Sequence, residues 1–194
     1  MAVRDVLLYP DPALKAVAAP IQAAAVDAAA ADLVETMGSR ERCVGLAAPQ
    51  IGEPVRLAVV DVRGHPKADT DNGLLILANP RIVEAEGSEV GREGCLSVPE
   101  LTANVRRATR VVVEHLSGSV ECHGFEARCV QHELDHLDGV LFLDRVASLA
   151  SDVFRRRSYA SSAAGAEAGR ASDAATAAGS ERPSSKPSPD ERIG

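Results

Sequence analysis

The sequence predicts an α+β domain, and three observations predict it. A helix near the C-terminal end of the folded part carries histidines and acids one turn apart. A second, alanine-rich helix lies near the N-terminus. Between them run short apolar stretches rich in β-branched residues, separated by glycine, proline and polar loops. Such runs form antiparallel or mixed sheets, here expected to pack around the C-terminal helix.

Residues 3–20 read as an extended lead with turns at Tyr9-Pro10-Asp11-Pro12, because each proline biases its predecessor away from helix. Residues 21–37 are alanine-rich, with Leu33, Val34 and Met37 at helical spacing, and Gly38 ends that helix. Residues 43–52 form a glycine-punctuated loop. Gly45, Ala47 and Ala48 leave room there for a ligand to approach the backbone, although close packing against a core would use the same residues. Gln50 ends the loop with an amide N–H suited to a developing oxyanion.

Residues 55–62 and 74–77 read as strands, with a polar surface loop at 63–73 in which His65 is exposed. Asn79-Pro80 ends the second strand, and 81–86 form another short one. A strand over 105–116 contains Val111-Val112-Val113 and turns at Ser117-Gly118-Ser119 to return through Val120. The second helix covers 125–137 and stops at Gly139. Residues 140–143 pack behind it, and Asp144-Arg145-Val146 closes the domain. From 158 to 194 the chain is alanine, serine, glycine, proline and charge. It cannot bury enough apolar surface to offset ordering, so a domain over 1–157 and a disordered tail over 158–194 are expected.

The chain has 194 residues, enough for one domain with a buried core, and 45% of them are hydrophobic. A net charge of −7 argues against a general nucleic-acid binder, so no DNA partner is expected. No apolar run approaches a membrane span, and the N-terminus lacks a basic region followed by an apolar signal core. Four cysteines without paired spacing suit a reducing compartment. The expectation is a soluble, cytoplasmic protein with no membrane partner.

The chemistry centres on Gln131-His132-Glu133-Leu134-Asp135-His136-Leu137-Asp138-Gly139. Histidines four apart share one helix face, so both imidazoles reach one cation while Glu133 points beside it. This H-E-x-x-H pattern suits a hydrolytic metal centre whose carboxylate works on water; a merely solvated surface helix is the plain alternative. A catalytic cation needs a third protein ligand and an open position. Phe142 stands where a longer protease motif would place a third histidine, which excludes that class. Asp144 lies too far along a continuous helix, and the later glutamates fall in the tail.

The third ligand must therefore come from upstream, where Cys43, Cys95, Cys122, Cys129, His65, His115 and His123 are available. Cys95 stands out in Gly91-Arg92-Glu93-Gly94-Cys95-Leu96-Ser97-Val98-Pro99, because Gly94 permits a tight turn and Pro99 closes the segment. Lone cysteines are more often small buried hydrophobes, and Cys122, His123 and Cys129 form a rival cluster near His132.

These residues resemble peptide deformylase. The resemblance rests on three blocks in order: Gly45-Leu46-Ala47-Ala48-Pro49-Gln50, Glu93-Gly94-Cys95-Leu96-Ser97 and Gln131-His132-Glu133-Leu134-Asp135-His136. Tyr9-Pro10-Asp11-Pro12-Ala13-Leu14 also looks like the start of these enzymes, and the likeness spans about 3–150. It implies a peptide-deformylase-like fold and removal of the formyl group from the N-formyl-methionine of nascent peptides, releasing formate. Cys95, His132 and His136 would hold the metal and Glu133 would be the base. The Gln50 amide and the Leu96 backbone N–H would meet the oxyanion, and backbone near Gly45 would pair with the substrate. Val44, Phe125 and Cys129 would wall the methionine pocket. The family's usual ion is Fe2+, with Zn2+, Ni2+ or Co2+ as substitutes. Transient ribosome contact, through Arg155-Arg156-Arg157, would follow from work on emerging chains.

The chain also departs from the family pattern. Cys43 stands where many members have glycine and would add a second reactive thiol. Thr102 stands where some bacterial members have a substrate-facing arginine, and the hairpin at 117–119 is several residues short. Two other readings compete: a different metal hydrolase on the same helix, and a non-catalytic metal-binding module. Intact Glu133 and Gln50 speak against the second, since a purely structural site has no need of a base beside an open position.

Overall fold

The computed structural model describes residues 2–156. The expected tail at 158–194 lies outside the described residues, as does Arg157. The α+β expectation holds: every strand pairing is antiparallel, and the strands form three small sheets around one central helix.

The N-terminal helix, α1, spans Val26–Gly38 after a 3-10 turn at Ala23–Ala25, so it starts later than its alanine content suggested. Ala30, Leu33 and Met37 turn its apolar stripe inward. Ile21, expected inside the helix, is instead buried ahead of it. Its N–H donates to Asn79 Oδ1 at 2.8 Å, and its carbonyl accepts from Asn79 Nδ2 at 2.9 Å. That exchange ties the segment to a sheet edge and gives its backbone groups partners outside any helix.

The first sheet runs β1 (Gly45–Ala47), β2 (Leu57–Val60), β3 (Leu75–Ala78), in that order. Residues 43–52 are therefore more than a loop: Gly45 pairs with Val60, and a 3-10 helix at Ala48–Ile51 follows. A three-residue strand opening on glycine carries no alternation, which is why it reads as loop. All four β2 residues are buried, as a strand covered on both faces requires.

The second sheet has the order β4 (Arg81–Glu86), β7 (Arg110–His115), β8 (Gly118–His123). The third has the order β5 (Glu89–Cys95), β6 (Val98–Arg107), β9 (Val153–Arg155). The expected continuous strand over 105–116 is thus two strands, broken at Ala108-Thr109 and belonging to different sheets. Pro99 lies inside β6 and does not close the segment. The β7–β8 turn is Leu116-Ser117, with Gly118 in the φ 138 conformation that favours glycine, one residue before its expected place. Past Val146 the fold continues through α3 (Leu149–Asp152) to β9, which adds an edge to β6.

The central helix, α2 (Gly124–Leu137), packs on the first and second sheets and is buried along nearly its whole length. Ala127, Val130 and Leu134 join Val60, Leu77, Val111 and Val113 in one apolar cluster, and Leu137 joins Ala47 and Ala58 in another. Polar residues on such a helix must find partners, so those facing neither cluster define the site. Among the described residues no helix is long and apolar enough to cross a membrane.

Candidate metal centre

His132 and His136 project from successive turns of α2, with ring centroids 5.1 Å apart in an edge-to-face arrangement. Cys95 is the last residue of β5. The register slips there, from Gly94 opposite Thr102 to Cys95 opposite Val98, so the chain reverses through Leu96-Ser97 and offers the thiol at the turn. Cys95 Sγ lies 3.2 Å from His136 Nε2. One ligand atom from each of Cys95, His132 and His136 lies within 4.8 Å of the other two.

Burial alone would raise the Cys95 thiol, but His136 and His132 beside it outweigh burial and hold it well below the usual thiol range. His132 shows the reverse. Burial opposes its charge, yet the Cys95 and Glu93 contacts raise it well above an ordinary imidazole. A thiolate and two imidazoles converging in this way are a donor set for a borderline divalent ion. The side chains present fit a cation.

Around these three, Gln50 is almost fully buried. Its Nε2 donates to Cys95 Sγ at 3.3 Å and to Ser97 Oγ at 3.2 Å, while its Oε1 accepts from the Ala47 N–H at 2.9 Å. Leu96 follows Cys95 in the turn. Glu133 is buried with its Oε2 lacking a hydrogen-bond partner. Burial pushes its carboxyl up to about 7, with the charges of His132 and His136 pulling the other way. Gly45 leaves no room for a side chain, since a Cβ there would sit 2.5 Å from Glu133 Oε1. Gly45→Ala is therefore expected to displace Glu133 and lower kcat/KM by about 10²-fold with little change in unfolding midpoint. Activity and urea titrations on the same sample check both halves.

Glu93 was missed in the sequence as a functional residue. Its Oε2 lies 3.0 Å from His132 Nδ1, and its carboxylate also accepts from Arg107 Nε, Arg107 Nη2 and Arg128 Nη1, each at 3.0 Å. A carboxylate on the far nitrogen of a ligating histidine fixes the ring and its tautomer. One signal was available. Glu93 is two residues before Cys95, and alternate strand residues share a face. Arg107 reaches on to Asp135 at 2.6 Å, which Arg145 also grips at 2.6 Å.

The rival cluster does not assemble. Cys122 and Cys129 sit in the apolar core, where burial raises both thiols, that of Cys122 to about 12. His123 is exposed beside Glu121. Burial, with Glu133 nearby, likewise pushes Cys43 up to about 12, and its Sγ donates to the Gly45 carbonyl. The raised thiol works against the second reactive group expected there, since the thiolate is the nucleophile. Val44, Phe125 and Cys129 do gather at one apolar cluster. His65 is half-buried rather than exposed, stacked on Phe125 with centroids 4.2 Å apart. Thr102 accepts from Arg92 Nη1 at 3.3 Å, and Phe142 is buried against His132.

The model of the family described as polypeptide deformylase matches residues 3–152. The chain belongs to the polypeptide deformylase family. A peptide deformylase of Alkalilimnicola ehrlichii is 40% identical over 164 residues, covering 81% of this chain and 89% of the relative. One from Rhizobium meliloti is 39% identical over 177 residues, covering 87% and 99%. Among solved structures, the Met-Ala-Ser-bound class I type b peptide deformylase of Acinetobacter baumannii has a TM-score of 0.68 and 38% identity, covering 75% of this chain and 99% of that one. The Thermotoga maritima deformylase has a TM-score of 0.66 and 35% identity, covering 76% and 100%.

Proposed function

We propose that this deformylase removes the formyl group from the N-formyl-methionine of newly made chains, with Cys95, His132 and His136 holding the cation and Glu133 as the base. The observation that carries the assignment is the convergence of the three ligand atoms beside a buried carboxylate oxygen that lacks a partner. When bound, the cation supplies Lewis-acid chemistry that makes water nucleophilic near neutral pH. Glu133 Oε2 takes a proton from the attacking water and returns it to the nitrogen of the leaving amine, so formate and a free N-terminus result. The Gln50 amide and the Leu96 backbone N–H receive charge developing on the formyl oxygen.

The substrate has an obvious place to lie. β1 pairs only with β2, so its other edge, at Gly45, is free among the described strands to accept an extended peptide. Val44, Phe125 and Cys129 would receive the methionine side chain, since they share one apolar cluster beside the histidines. Fe2+ is the proposed ion, by family resemblance, with Zn2+, Ni2+ or Co2+ as substitutes suited to the same donors. A cytoplasmic location, and transient ribosome contact through the arginines at 155–157, complete the proposal. Unchanged co-sedimentation with ribosomes after alanine replacement of these arginines would remove the last part.

The test is formate release from a formyl-Met tripeptide by anaerobically purified protein of measured metal content. We expect release of formate without internal peptide cleavage. A fully metallated protein that releases none would overturn the assignment and leave a non-catalytic metal-binding module. Internal cleavage would point to another metal hydrolase.

A further inference from the structure

Behind α2, on the side away from the metal ligands, lies an open cleft of about 600 Å³ whose wall carries five guanidinium groups. Helix geometry separates it from the catalytic site. Gln131, Leu134, Asp135 and Asp138 line the cleft, whereas His132, Glu133 and His136 face the other way. The five are Arg56, Arg81, Arg106, Arg107 and Arg145, and among the described residues the carboxylates in the wall are Asp135 and Asp138. Glu93 and Glu114, paired with Arg107 and Arg81, reach these guanidiniums from outside the wall. The cleft is thus lined with cations of which Arg106 is the one left without a carboxylate among the described residues, in a chain whose net charge is −7.

The five guanidiniums differ in how far they are committed. Arg107 is buried and bound to Glu93 and Asp135, so its charge is already met and it forms a fixed floor. Arg56 holds Asp138 at 2.6 Å and Arg145 holds Asp135 at 2.6 Å, and the side chain of Arg145 is half exposed. Arg81 is exposed on the rim, with exposed Glu114 at 2.8 Å. Arg106 is exposed and donates to Ser88 Oγ at 3.2 Å, with no carboxylate partner among the described residues. Ile82 and Leu134 add apolar surface to the same wall.

We propose that this cleft binds a compact polyphosphate anion, either free or carried by a nucleotide. Guanidinium forks match phosphate oxygens two at a time, and several around one concavity select for a ligand with several closely spaced negative charges. A single phosphate would leave most of the cleft unfilled, and the volume lies in the range of small-molecule sites. Two wall carboxylates already neutralise two of the arginines, so a singly charged acid gains little there. A polyphosphate engages the rim arginines without displacing Asp135 or Asp138.

Isothermal titration of the full chain with sodium tripolyphosphate, ATP and adenosine, near physiological ionic strength, tests this. Metal content is measured before and after, so that chelation is not read as binding. Tripolyphosphate and ATP should each saturate one site, and adenosine should not bind. Equal affinities would assign the site to the polyphosphate alone, and tighter ATP binding would add the nucleoside. Arg106→Glu and Arg81→Glu, both on the exposed rim, should each weaken binding about tenfold or more. Arg40→Glu, the same charge change on a surface outside the cleft, should leave it unaltered. Absence of saturable binding overturns the proposal. So does an equal loss in Arg40→Glu, which would reduce the effect to the field of the whole chain. Neither result bears on formate release, so failure here is separable from failure of the catalytic assignment.

Discussion

Glu133→Gln is expected to keep the cation and slow formate release by about 10²–10⁴-fold, the usual worth of a positioned general base. Retention follows from geometry: the converging donors are Cys95, His132 and His136, and Glu133 is not among them. The loss follows from what the carboxylate alone offers, a buried oxygen without a partner beside the converging ligand atoms. Glutamine keeps the shape and cannot accept the proton. Metal analysis and kcat on the same preparation decide the matter. A glutamine variant within a few-fold of wild type would remove Glu133 from the chemistry. Loss of the ion would recast it as part of the metal-holding set.

Much of the site was legible because its signals are local. Histidines four apart with an acid beside the first need only the helix repeat to be placed on one face. Cys95 was singled out by the glycine before it, which marks a tight path, although the turn proved to end a strand. Resemblance joined these blocks, since no local rule brings β5 to α2.

What stayed hidden depends on packing. β5, Glu89 to Cys95, has no apolar alternation, because one of its two buried residues is the ion-paired Glu93 and the charges of Glu89 and Arg92 are exposed. A hydrophobic pattern cannot show such a strand. The run over 105–116 looked continuous because valines at 105, 111 and 113 feed buried positions in two different sheets. Only the pairings reveal the break at Ala108-Thr109. His65 escaped for a similar reason, since its stacking partner Phe125 lies 60 residues away in sequence.

Glu93→Ala is expected to destabilise the protein by about 3–5 kcal/mol, because it leaves the buried Arg107 and Arg128 without the carboxylate that both share. The same substitution frees His132 Nδ1, which should weaken metal affinity by about 10–100-fold. Urea unfolding and chelator competition read the two effects separately. A purely structural role would lower stability and leave affinity, measured well below the melting range, unchanged. Acid gives an independent check on metal-free protein. Burial opposes the Glu93 charge, but the His132 and Arg107 hydrogen bonds outweigh it and carry the carboxyl down to about 2 from 4.5. A lowered folded-state value means that the contribution is complete above about pH 4.5 and fades as pH falls towards 2. Wild type should therefore lose stability through that window more steeply than Glu93→Gln, whose side chain does not titrate. Parallel acid curves for the two proteins would mean that the carboxylate gains nothing from its partners. Its place behind His132 would then be packing alone.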